Sequence, residues 1–265
     1  MNDTPYTSLH VATKNGLARV TLDRAERHNA FDDQVISELS DAFDNIANDD
    51  SIHAVILAAN GKSFSAGADI EWMKRAAAYT KPENEAASLL MAKMLNRIDT
   101  LPQPTIALVQ GGAYGGGVGL VAVSDIVIAT EQARFCFSEV KLGIIPAVIS
   151  PYVVRATGSH AVRRYFFTAE VFDADEAMRL GLVDKIVTET ELETAGQSMA
   201  EKVLENGPSA VAAAKRLINR VKDQPIDAQL VEETAKLNAE MRATDEGREG
   251  IASFLEKRTP AWRKS

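Results

Sequence analysis

Apolar and polar positions alternate through Leu9, Val11 and Thr13, break at Asn15-Gly16, and alternate again over Leu17–Leu22. Asn-Gly between two such runs predicts a hairpin with a two-residue turn. Asp32 or Asp33 is placed to cap a helix whose apolar positions, Val35, Ile36, Leu39, Phe43 and Ile46, recur at helical spacing. Ala54–Ala59 (AVILAA) is a short, continuously apolar run, as expected of a strand buried on both faces. Thr105–Val109 (TIALV) repeats that signal, followed by a glycine-rich turn and a second apolar stretch at 118–123. Further strands are predicted at 125–129, 134–137 and 184–187. Strands alternating with helices make this an α/β chain. From about Glu189 onward the pattern is helical only, with Pro208 opening one helix and others at 227–242 and 245–258. Such a terminal layer either docks on a neighbouring subunit or packs on its own domain, and the pattern does not choose between them.

The bulk composition narrows the function. The 265 residues are enough for one large domain, or a domain with a helical extension. A formal net charge of -8 with no basic stripe argues against a nucleic-acid partner, though a few local donors could still hold a small anion. Cys136 is the only cysteine, which excludes an internal disulfide and a cysteine-built metal site. His10, His28, His53 and His160 lack metal-ligand spacing, so no metal is expected. The chain's first residues lack a basic segment leading into an apolar run, and no apolar stretch reaches membrane-spanning length. A cytoplasmic protein without membrane contact is the expectation. No cofactor fingerprint appears, and no GxSxG elbow marks a serine hydrolase.

Three segments could carry chemistry. Residues 61–70 (GKSFSAGADI) and 110–120 (QGGAYGGGVGL) are glycine-rich turns, each just after a buried strand. Glycines there either permit tight strand–helix packing, or let backbone N–H groups from both turns converge on one oxygen as an oxyanion hole. The triplet is not followed by Lys-Ser/Thr, so it is no P-loop. The third segment, 135–146 (FCFSEVKLGIIP), sets Glu139 among Phe135, Phe137, Val140 and Leu142. Two readings stand: a glutamate exposed on a loop or partnered by Lys141, or a desolvated carboxyl with a raised pKa suited to general acid/base work. Asp69 and Asp125 fit turns or caps better than catalysis. Arg163 and Arg164 fit either a solvated helix face or contact with an acidic substrate.

Several motifs in a fixed order now carry a resemblance. LDRAERHNAF at 22–31, FSAGADI at 64–70, GGAYGGGVGL with SDIVIA behind it, FSEVKLGIIP, EAMRLGLVDKIV and FLEKR are similar to the enoyl-CoA hydratase/isomerase (crotonase) superfamily over nearly the full length. The resemblance implies an α/β, crotonase-like ββα spiral core over 1–190 and a C-terminal helical trimerisation region over 191–265, building trimers or hexamers. It implies an acyl-CoA thioester substrate and no cofactor beyond the coenzyme A of that substrate. Ala68 and Gly116 would supply the two oxyanion N–H groups, and Glu139 the acid/base. Ala66, Asp69, Ile70 and Glu71 would border the CoA nucleotide, with Arg24, Ala25 and Glu26 along its pantetheine or adenine side. Lys257 would meet a CoA phosphate, with Phe254 packing nearby.

The chain departs from that family at one point. Family hydratases carry a second glutamate two residues after the glycine triplet, and here that residue is Gly119. Three explanations follow from the resemblance: an isomerase with one proton-shuttling carboxylate, a hydratase whose substrate brings its own carboxylate into the space left at Gly119, or an acyl-CoA- or RNA-binding homologue. GGGVGL, SEVKLGIIPAVISPYVV and AVRRYFFTAE resemble the bacterial branch that hydrates 3-methylglutaconyl-CoA in leucine breakdown, and related isohexenylglutaconyl-CoA hydratases. The expected reaction is therefore hydration of a branched, acidic enoyl-CoA. A Δ3-Δ2-enoyl-CoA isomerase or a general enoyl-CoA hydratase of fatty acid metabolism is the alternative. Ala147, Val148 and Ile149 replace the usual glycines after Pro146, which predicts a differently walled acyl pocket.

Overall fold

The computed structural model describes residues 6–263. Its first element is the expected hairpin: β1 (Leu9–Lys14) and β2 (Leu17–Leu22) pair antiparallel, with Leu9 opposite Leu22. Asn15 and Gly16 both take positive φ, at 51° and 82°, which is the pair of left-handed conformations a tight hairpin turn demands. Next come β3 (Ala54–Ala59) and β4 (Thr105–Val109), then the short β5 (Gly112–Tyr114), which sequence pattern alone did not reveal. β6 (Ile126–Thr130), β7 (Arg134–Cys136), β8 (Phe172–Asp173) and β9 (Lys185–Val187) complete the strands.

Six of these strands form one sheet in the order β1-β2-β3-β4-β6-β9, parallel from β2 onward. Parallel neighbours need crossovers, supplied first by α1 (Asp33–Ala47), whose N-terminus is capped by the Asp32 carboxylate accepting from Val35 N–H at 3.0 Å. Then follow α2 (Ile70–Ala76), α3 (Lys81–Asp99) and α4 (Gly116–Val123), the last formed by the apolar stretch after the glycine triplet. α5 (Ser150–Thr157), α6 (Ser159–Thr168) and α7 (Ala174–Arg179) lead to β9. Both faces of the sheet are covered, which explains the unbroken apolar runs. Val55, Leu57, Ala107 and Val109 face the main core with α1 and α3, while Ile56, Ala58, Ile106 and Leu108 face a second cluster with Leu192 and Ala200. The last two belong to α8 (Leu192–Leu204), which seals that outer face.

Three helices follow: α9 (Pro208–Val221), α10 (Ala228–Ala243) and α11 (Asp245–Leu255). α9 is anchored by Lys215, whose Nζ lies 2.6 Å from a carboxylate oxygen of Asp125 and 3.4 Å from the Gln103 carbonyl. α10 buries no residue, and Val231, Ile251, Phe254 and Leu255 are exposed. α11 stops at Leu255, three residues short of the predicted 258, and Lys257 beyond it takes a positive φ of 55°.

The second, three-stranded sheet positions the chemistry. β5 and β7 run parallel in the register Gly112–Arg134, Ala113–Phe135 and Tyr114–Cys136, and β8 pairs antiparallel on the far side of β7. Their carboxyl ends therefore arrive side by side, one leading into Gly115 and Gly116, the other into Ser138 and Glu139. Isolated bridges tie Ser65 to Ala113 and Phe31 to Ala68, drawing the first glycine turn alongside the second.

Candidate active site

Gly67, at φ 86°, lies so close to the second turn that a Cβ there would sit 2.9 Å from the Tyr114 carbonyl oxygen. Gly115 holds φ 49° and ψ −117°, and a Cβ on it would sit 3.1 Å from Glu139 Oε1. Only glycine tolerates either approach. The N–H of Ala68 and that of Gly116, the first residue of α4, donate to no acceptor among the described residues. Helix starts leave such donors free, and the α4 macrodipole adds partial positive charge there. Both sides of the proposed oxyanion hole thus exist as unpaired donors on adjoining turns.

Glu139 begins a single 3₁₀ turn, Glu139–Leu142, and is half-buried. Its Oε2 is buried without a hydrogen-bond partner among the described residues, and no cation pairs with it. Burial pushes its carboxyl above the ordinary range, against a smaller lowering from its own backbone N–H. Glu139 is thus neither exposed on a loop nor partnered by Lys141.

These groups face a cavity of about 260 Å³ lined by Ala66, Gly67, Ala68, Gly115, Gly116 and Glu139. Its remaining wall is largely apolar, with Phe31 and Met91 on one side and Ile144, Ile145 and Ile149 on another. Among the described residues no Lys, Arg or His lines it. Phe31 closes the LDRAERHNAF motif and Ile149 lies in the altered run after Pro146, but nothing in the sequence marked Met91.

Gly119 corrects an expectation. It does not line the cavity, and the place its side chain would take is filled: a Cβ there would lie 2.5 Å from Ile149 Cγ2 and 3.4 Å from Leu95 Cδ1. Ile149 is 2% exposed. No room is left at Gly119 for a substrate carboxylate, and the neighbours are hydrocarbon.

The residues expected around CoA also divide. Ala66 lines the cavity; Arg24, Ala25, Glu26, Asp69, Ile70, Glu71, Phe254 and Lys257 do not. Arg24 and Asp69 serve the scaffold. Asp69 caps α2 by accepting from Glu71 N–H at 2.8 Å and Trp72 N–H at 3.2 Å, and it faces Arg24 at 3.4 Å and Arg27 at 3.8 Å. Burial alone would raise the Asp69 carboxyl, but those N–H groups and guanidiniums hold it below the usual range. Arg24 also pairs with Asp32 at 2.8 Å and donates to the Ala30 carbonyl, locking the segment before α1 to the turn that presents Ala68. Ala25 packs where a Cβ of Gly61 would meet it at 2.7 Å. Ile70 and Glu71 are exposed on α2, with Glu71 bonded to Lys74. Phe254 is 81% exposed on α11. Arg164 pairs with Glu170, and Arg163 is likewise outside the cavity, so neither meets a substrate there. Among the described residues no His, Cys, Asp and Glu group could hold a metal ion, and no helix is long and apolar enough to cross a membrane.

The chain is similar to known proteins over nearly its whole length. The model of the enoyl-CoA hydratase/isomerase family matches residues 12–265. An enoyl-CoA hydratase from Shewanella pealeana has a solved structure that superposes with a TM-score of 0.95 at 43% identity, covering 98% of this chain and 97% of that one. A short-chain-enoyl-CoA hydratase of Clostridium acetobutylicum is 36% identical over 244 residues, 91% of this chain and 92% of its own length. A crotonyl-CoA hydratase of Syntrophomonas wolfei is 33% identical over 255 residues, 96% of each chain. With its motifs in order, its fold superposable end to end and its two glycine turns facing one carboxylate, the chain belongs to the enoyl-CoA hydratase/isomerase family.

Proposed function

We propose that the protein is an enoyl-CoA hydratase that adds water across the double bond of an α,β-unsaturated acyl-CoA with an apolar acyl chain. The observation that carries this is the Glu139 carboxylate set against Gly115, beside the unpaired N–H groups of Ala68 and Gly116. Those N–H groups polarise the thioester carbonyl and hold its oxygen as it becomes enolate-like. Glu139 takes a proton from the water that adds to the β carbon. Once protonated, it returns a proton to the α carbon from the same face. The low polarity around Glu139 keeps its carboxyl basic enough for the first step and acidic enough for the second.

The acidic glutaconyl ester implied by the finer resemblance fits this cavity less well. Its second carboxylate would enter a wall without a cation, at a cost of several kcal/mol if desolvated unpaired, and the place beside Gly119 is taken by Ile149. Isomerisation of a 3-enoyl to a 2-enoyl ester is the second reading, favoured by the same Ile149, because it needs one carboxylate and no water. The RNA-binding reading finds no support in a chain of net charge -8.

Assembly into trimers or hexamers, the states proposed for the chain, is supported by α10, which buries nothing, and by the exposed apolar residues of α10 and α11. The conjugated thioester absorbance separates the chemical readings. Loss of signal with crotonyl-CoA and little change with 3-methylglutaconyl-CoA is the expected result. A gain with a 3-enoyl-CoA and no loss with crotonyl-CoA would replace hydration by isomerisation, and turnover of the glutaconyl ester alone would restore the acidic substrate.

A further inference from the structure

Hydration asks more of the site than one carboxylate. The attacking water gives one O–H to Glu139 and its lone pair to the β carbon, and its second O–H still needs an acceptor. In an apolar cavity an unpaired O–H is costly, so a second polar group must face the same spot. The position two residues after the glycine triplet does not provide it, being Gly119 with Ile149 packed over it.

Four polar side chains line the cavity: Trp72, Ser88, Ser138 and Glu139. The Trp72 indole N–H is only a donor and is engaged with Asp33 Oδ1 at 2.8 Å. Ser88 lies exposed on α3, with no contact to the Gly115 turn among the close approaches there. Ser138 is different. Its Oγ lies 3.9 Å from the point where a Gly115 Cβ would be, and Glu139 Oε1 lies 3.1 Å from that same point. Its hydroxyl has no hydrogen-bond partner among the described residues and caps nothing, although its carbonyl accepts from Lys141 N–H. Both side-chain oxygens therefore approach the one point that a Cβ on residue 115 would occupy.

We propose that Ser138 holds the attacking water, accepting its second O–H while Glu139 takes the first, in place of a second carboxylate. This rests on the hydratase reading above. The step balances: the water oxygen bonds to the β carbon, one of its protons moves to Glu139, and the Glu139 proton moves to the α carbon. Ser138 keeps its own proton throughout.

The test uses Ser138→Ala and Ser138→Thr in the full chain, with two readouts. One is kcat and KM for crotonyl-CoA hydration. The other is exchange of the α-hydrogen of butyryl-CoA for deuterium in D₂O, followed by proton NMR, which needs the oxyanion donors and Glu139 but adds no water. Ser138→Ala should lower kcat for hydration about tenfold, the loss of one hydrogen bond to the water, leaving KM and exchange unchanged. Ser138→Thr, which keeps the hydroxyl, should recover most of the loss. Unchanged hydration in Ser138→Ala overturns the proposal, as does a parallel fall in hydration and exchange, which would mean that Ser138 only shapes Glu139. A wild-type chain that exchanges but does not hydrate removes the hydratase reading itself, a failure distinct from either of these.

Discussion

Gly119 and Ile149 form a coupled pair, and that coupling can be measured as a change of sign. Gly119 is inside α4, where alanine is intrinsically better than glycine by about 0.5–1 kcal/mol. The added methyl, however, would lie 2.5 Å from Ile149 Cγ2, far inside contact distance, and overpacking a buried site of this kind costs about 1–3 kcal/mol. Gly119→Ala alone should therefore destabilise the protein by about 1 kcal/mol, or somewhat more if Ile149 cannot shift. Ile149→Ala alone should cost about 2–5 kcal/mol through lost burial and the void left behind. In the Ile149→Ala background the obstructing methyl is gone, so Gly119→Ala should stabilise by roughly the helix-propensity gain plus partial filling of the void. Urea unfolding of the four proteins at one fixed protein concentration, followed by far-ultraviolet circular dichroism, closes the cycle. Equal effects of Gly119→Ala in both backgrounds, within about 0.5 kcal/mol, would refute the packing argument and reopen the space beside Gly119 as a substrate subsite.

Two further outcomes follow from charged groups. Lys215→Ala should destabilise by about 2–3 kcal/mol, because it leaves the Asp125 carboxylate without its ammonium partner. Burial already raises the Asp125 carboxyl despite Lys215, and a carboxyl raised in the folded state begins to cost stability as pH rises past its unfolded pKa, the full cost being reached above the folded one. The deficit relative to wild type should narrow as pH falls; a pH-independent deficit in thermal melts would show that the ion pair is not its source. For Glu139, the base in hydration is the ionised form, so kcat/KM should hold at neutral pH and fall as pH drops through a pKa above the ordinary carboxyl range. A profile that stays flat into the ordinary carboxyl range, with circular dichroism showing the fold intact, would contradict the burial argument.

Much of this molecule was legible in the order of its residues. The Asn15-Gly16 hairpin, the doubly buried β3 and β4, and a cap at Asp32 or Asp33 are local signals, and the structure has each of them, with Asp32 as the cap. Glu139 was legible only as one of two readings; the parallel register of β5 and β7, which brings it beside Gly115, is a long-range pairing that no window of sequence contains. β5 itself, three residues long, carries too little alternation to be seen. Gly119 was read as open space, and the structure fills that place with Ile149, thirty residues on. Arg24 and Asp69 were placed beside CoA by the family resemblance alone, while the residues themselves already suggested a capping role for Asp69. Their partners turn out to be each other, Asp32, Arg27 and the start of α2.

The central claim is that one half-buried carboxylate does the proton transfer while the glycine turns hold the ester. Glu139→Gln keeps the shape of that side chain and removes its basicity. Measured side by side, kcat for crotonyl-CoA should fall at least about a hundredfold, while the dissociation constant for a non-reacting acyl-CoA from calorimetry stays within a few-fold. Turnover that survives the substitution, or binding that is lost with it, would contradict the account.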